Sequence, residues 1–66
     1  MSNKSIENNE PLLEGAIIIY LAVVEDANML KKTHVVTEAH ELIHRNNYKT
    51  ETDYYTALTE YIMANI

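Results

Sequence analysis

Residues 16–24 form an uninterrupted apolar run, AIIIYLAVV, with Glu14 shortly before it and Glu25 and Asp26 directly after it. A membrane span needs about 20 largely apolar residues, roughly twice what the run offers. A secretion signal needs a positively charged start, whereas Lys4 is opposed by Glu7 and Glu10. The run is therefore read as the buried central element of a small folded domain in the cytoplasm, with no membrane partner.

How it is buried depends on what 66 residues can supply. A chain this short buries only about 60% of the surface its unfolded form exposes, and small scaffolds recover stability from disulfides, metals, self-association or very regular helix packing. The absence of cysteine removes disulfides and thiolate zinc sites. One Gly and one Pro leave few turn residues for a multi-stranded sheet but suit a few helices joined by short loops. The expected fold class is all-α: a small three-helix bundle completed by homo-oligomerisation.

Residues 1–9 are polar apart from Ile6 and are expected to form a flexible N-terminal tail. Residues 10–66 make the single helical domain. Asn9, Glu10 and Pro11 read as a helix start, with a capping side chain, a first-turn proline and a carboxylate at the positive dipole end. Helix 1 is predicted over about 11–31, with Lys31 and Lys32 at its carbonyl end. The β-branched Ile17, Ile18, Ile19, Val23 and Val24 also suit a buried strand. The interspersed Ala16, Ala22 and Ala27, and the lack of a second strand to pair with, favour the helix. Helix 2 is predicted over 34–46, capped by Thr33, with Val35, Val36, Ala39, Leu42 and Ile43 on one face and Asn46 and Asn47 closing it. Helix 3 is predicted over 51–65, capped by Thr50 with Asp53 three residues on. Its stripe is Tyr54, Tyr55, Leu58, Tyr61 and Ile62, with Glu51, Thr52, Thr59 and Glu60 mostly outside it.

At 100° per residue, Leu13, Ala16, Ile17, Tyr20, Val23, Val24 and Ala27 share one face of helix 1. On the other side Ile18, Leu21, Ala22 and Met29 lie among Glu14, Glu25 and Asp26. Two helices cannot easily cover both sides of a third. Fully burying each large apolar side chain is worth ~1.5–3 kcal/mol, against a total stability of ~5 kcal/mol. Ile18, Leu21, Ala22 and Met29 are therefore expected to meet another chain, most simply in a homodimer or higher oligomer in which Ala22 permits close approach. Five tyrosines with no Phe or Trp point the same way, because tyrosine pairs a large apolar ring with a polar tip. Tyr54, Tyr55 and Tyr61 suit the core side of helix 3. The alternative adds Tyr48 and an outward Tyr55 to the partner surface.

His40, Glu41 and His44 spell HELIH, matching the HExxH spacing in which two histidines one turn apart bind zinc and the glutamate polarises water. The flanks Glu38, Arg45, Asn46 and Asn47 are charged or polar, no third ligand follows, and 66 residues provide no sheet-lined cleft. The three residues are read as solvent-facing positions of an amphipathic helix. The sequence thus predicts a non-enzyme, with no catalytic residue, metal or cofactor, and keeps a zinc-binding protein or hydrolase as the lowest alternative. A helix-turn-helix reader of DNA is the other alternative. The net charge of −5, from ten acidic against five basic residues, and a helix 3 without Lys or Arg oppose phosphate binding. Only a dimer pooling Lys31, Lys32, Arg45 and Lys49 could offset this. The expected function is that of a small acidic interaction module that binds another protein as a regulator, inhibitor or adaptor. Chains of this kind are frequent among bacterial and phage accessory proteins.

Overall fold

The computed structural model describes the backbone of residues 3–66 and the side chains from Leu12 onward. Helix α1 (Asn3–Met29) is followed by α2 (Thr33–Leu42), a 3₁₀ turn at Arg45–Asn47 and α3 (Glu51–Asn65), with no strand among the described residues. The chain is a small all-α bundle. α1 starts at Asn3, so Pro11 lies inside the helix and is not its first residue. Of the expected tail, Met1, Ser2 and the side chains of 3–9 lie outside the described residues.

α1 stops two residues short of the predicted end, for a local reason. Lys31 takes a left-handed backbone with φ 60°. Its N–H donates to the Asn28 carbonyl at 3.0 Å, while the N–H of Lys32 donates to the Ala27 carbonyl at 2.7 Å. This crossed pair is the Schellman closure, which satisfies carbonyls orphaned at a helix end and normally carries glycine at the left-handed position. Lys32 Nζ then donates to the backbone oxygen of Ile66 at 3.3 Å, tying the end of α1 to the end of α3. The two helices therefore run in the same direction, with α2 antiparallel between them in sequence.

Thr33, expected as a cap, is instead the first residue of α2; Lys32 holds the cap position and makes no side-chain capping bond. Thr50 does cap α3, its hydroxyl accepting the Asp53 N–H at 3.1 Å. The other departure is the end of α2. The helix breaks after Leu42, and Ile43 (φ −112°, ψ 113°) and His44 (φ −108°, ψ 136°) are extended. The break turns Ile43 onto the core and leaves Leu42, expected inside, exposed. Asn46 and Asn47 belong to the 3₁₀ turn that follows, which Arg45 braces by donating from Nη1 to the Tyr48 carbonyl at 2.7 Å.

The core consists of Val23 and Ala27 from α1, Val35 and Ala39 from α2, and Leu58 and Ile62 from α3. α1 and α2 offer only small or β-branched side chains, so the bulk comes from α3. Thr59, expected outside the stripe, is buried; its hydroxyl donates to the Tyr55 carbonyl at 2.8 Å, a back-bond that satisfies it within its own helix. Of the apolar run 16–24, only Val23 is buried; Ile18, Ile19, Leu21 and Ala22 are exposed.

A side chain at Lys31 carries a left-handed penalty that glycine avoids. Lys31→Gly is expected to stabilise the fold by about 1 kcal/mol, raising Tm by roughly 4–8 °C. A lower Tm in thermal unfolding would contradict this closure of α1.

Candidate functional site

Two features stand out as places where this bundle could act. One is a cluster of aromatic side chains at the junction of the three helices. The other is the side of α1 turned away from α2 and α3.

The cluster is built around His40, in the last turn of α2. Tyr20 of α1 brings its hydroxyl to 2.6 Å from His40 Nε2, and Tyr54 of α3 brings its hydroxyl to 3.4 Å from Nδ1. Neutral imidazole donates from one nitrogen and accepts at the other, and a phenol can do either, so the ring bridges the two outer helices. Tyr55 lies edge-on to Tyr20 at 5.3 Å and to Tyr54 at 5.2 Å, with Tyr48 tilted against Tyr54 at 6.3 Å. Such pairs add about 0.5–1.5 kcal/mol each beyond area burial. Burial, followed by the nearby Tyr54 and Tyr55, raises the Tyr20 phenol above its usual 10.0. Tyr61 is raised as well, by burial first and then by the charge and hydrogen bond of Glu38, to whose Oε1 it donates at 3.3 Å.

This arrangement gives His40 of the HELIH segment partners within its own chain. Because α2 ends at Leu42, His44 stands on extended backbone and does not share a helical face with His40. His40 engages both nitrogens within the chain, and Glu41 and His44 are exposed. Among the described residues, no group of three or more His, Cys, Asp or Glu side chains is placed to hold a metal ion. The cations that a DNA reader would need are likewise separated. Lys31 and Lys32 follow α1, whereas Arg45 and Lys49 lie at the opposite end of the ten-residue α2, and Lys32 and Arg45 are engaged with carbonyls.

The outer face of α1 is different in kind. Ile18 is 66% exposed, Leu21 57% and Met29 77%, with Ala22 exposed between them. Glu14, Glu25 and Asp26 lie alongside, also exposed. Tyr48 and Tyr55, the other two expected interface residues, are half-buried and belong to the intramolecular cluster. A second apolar strip was not anticipated. Ile19 is 55% exposed and, with Ala16, borders a shallow groove of about 210 Å³ closed by Thr56, Thr59 and Glu60 of α3. The signal was present in the sequence, since the three consecutive residues Ile17, Ile18 and Ile19 span 200° of a helix and cannot all face two neighbours. No helix among the described residues is long and apolar enough to cross a membrane.

No family model matches this chain, and no curated protein or solved structure is measurably similar to it.

Two outcomes follow from the cluster. His40→Ala removes the hydrogen-bond partner of Tyr20 and should cost about 1 kcal/mol in denaturant unfolding, whereas His44→Ala should stay within about 0.5 kcal/mol of the parent; equal losses would show that the bridge contributes nothing. Tyr20 ionises less readily folded than unfolded, so above pH 10 the folded chain holds the extra proton and stability falls as pH rises. Tyr20→Phe should flatten that alkaline decline, and an unchanged slope in unfolding measured from pH 9 upward would refute it.

Proposed function

We propose that this protein is a small helical interaction module that acts in the cytoplasm by binding another protein through the outer face of α1, as a regulator, inhibitor or adaptor. The observation that carries the reading is the exposure of Ile18, Leu21 and Met29 on the side of α1 that its own bundle leaves uncovered. Scattered apolar residues on a surface need no explanation, but several on one helix face mark a contact surface. Each fully buried side chain of this kind contributes about 1.5–3 kcal/mol, so covering three would rival the folding stability of a small domain. The acidic rim of Glu14, Glu25 and Asp26 fits an interface with an apolar centre and polar edge. The same rim, with a net charge of −5, argues against phosphate backbones and anionic lipid as the bound surface.

The test compares immobilised wild type with Ile18→Asp and Leu21→Asp in a lysate of the source cells, with circular dichroism and thermal unfolding of each purified variant as the control. Both positions lie outside the core, so the variants should fold as the wild type does. Proteins retained by the wild type should be lost by both. Retention of the same proteins by folded variants would refute the outer face of α1 as the binding surface.

A further inference from the structure

We infer that Tyr20 and His40 form a redox-active pair, in which an outer-sphere one-electron oxidant takes an electron from the Tyr20 ring while the phenol proton passes to His40 Nε2. Tyr20 packs against the core, so the pair is independent of the outer face of α1. A phenol that loses an electron becomes a far stronger acid, and electron and proton leave together where a base already holds the hydroxyl. A base can take that proton from about 2.6–3.2 Å, and the Tyr20 hydroxyl stands 2.6 Å from Nε2. Neutral imidazole has one accepting nitrogen. The short contact has the length of a bond from a hydroxyl donor. Nε2 is therefore the acceptor, and the Nδ1 proton points at the Tyr54 hydroxyl, 3.4 Å away. Tyr54 is thereby a positioning residue, because the bond at one ring nitrogen fixes the proton state of the other.

The step balances within the pair and its oxidant. The Tyr20 O–H bond breaks, an N–H bond forms at Nε2, the oxidant is reduced by one electron, and a neutral phenoxyl radical is left beside an imidazolium. Returning the electron returns the proton. His40 is exposed, so water solvates the imidazolium charge. Burial first, and then the nearby Tyr54 and Tyr55, hold the Tyr20 phenol above its usual 10.0, which disfavours the other route, loss of the proton to water before the electron. Tyr61 also has an acceptor, Glu38 Oε1 at 3.3 Å. That bond is longer, and a carboxylate, with an ordinary pKa of about 4.3 against about 6.5 for imidazole, is the weaker base. Tyr55 stands edge-on to the Tyr20 ring at 5.3 Å and shields part of it from coupling with a second radical.

The chain has no cysteine and no tryptophan, so tyrosine dominates its one-electron oxidation. The experiment is flash oxidation of the full chain near neutral pH by photogenerated tris-bipyridine ruthenium(III). The phenoxyl is followed by its absorption and by electron paramagnetic resonance of freeze-quenched samples, with circular dichroism as the control for folding. The wild type should form tyrosyl radical in a fast phase that slows in deuterium oxide. Tyr20→Phe should lose that phase. His40→Ala should slow it about a hundredfold, the low end of what a positioned proton acceptor contributes, and added imidazole should restore part of the rate. His40→Gln can still accept a hydrogen bond but is a far weaker base, so it should be as slow as His40→Ala, and it keeps the test decisive where His40→Ala does not fold. A fast phase of equal rate in wild type and His40→Gln, or one that survives in Tyr20→Phe, would overturn the pair.

Discussion

Leu58 and Ile62 are the largest side chains that the bundle buries completely, and the wall they meet is built from Val23, Ala27, Val35 and Ala39. The rest of the architecture depends on this inequality. Alanines at the contact let helices approach closely, and two large side chains of α3 fill the space between α1 and α2. Removing such a side chain forfeits its transfer energy and leaves a cavity that small neighbours cannot close, a loss of about 2–5 kcal/mol for Leu→Ala. A core this small also limits how much of α1 can be covered. Its 27 residues are met by helices of 10 and 15, and from Leu12 onward α1 buries only Val23 and Ala27 while Ile18, Leu21 and Met29 stay exposed.

The tyrosines extend the core where aliphatic side chains run out. Tyr20, Tyr54 and Tyr55 pack against it while their hydroxyls reach His40 or the surface. No buried side-chain nitrogen or oxygen among the described residues lacks a hydrogen-bond partner, as expected where each polar tip is led to an acceptor or to water. The histidine of the HELIH segment is a keystone in this cluster. Its spacing resembles a zinc motif because α-helical periodicity places polar residues at the same intervals for many reasons, and here the helix does not last long enough for the second histidine to join the first.

What is left over gives the molecule its direction. Ile18, Leu21 and Met29 contribute nothing to the core of a single chain, yet they occupy one side of its longest helix. Burial in the bundle and exposure on the outer face are thus two consequences of the same apolar run. Glu14, Glu25 and Asp26 lie exposed at the margins of this bare side.

Much of this was legible in the residues themselves. Helical periodicity identified Leu58 and Ile62 as core positions of α3, the hydroxyl of Thr50 announced its cap, and the excess of apolar surface on α1 showed that some of it must lie outside. These are local or near-local properties, governed by 3.6-residue geometry and by side-chain chemistry within one turn. The tertiary structure decided the rest: that α2 ends at Leu42 so that Ile43 can turn inward, that α1 closes on a left-handed Lys31, and that Thr59 is buried. None of these follows from the amino acid alone, because a helix end and a residue's burial are set by which neighbour arrives and at what angle. Only the packed chain holds that information.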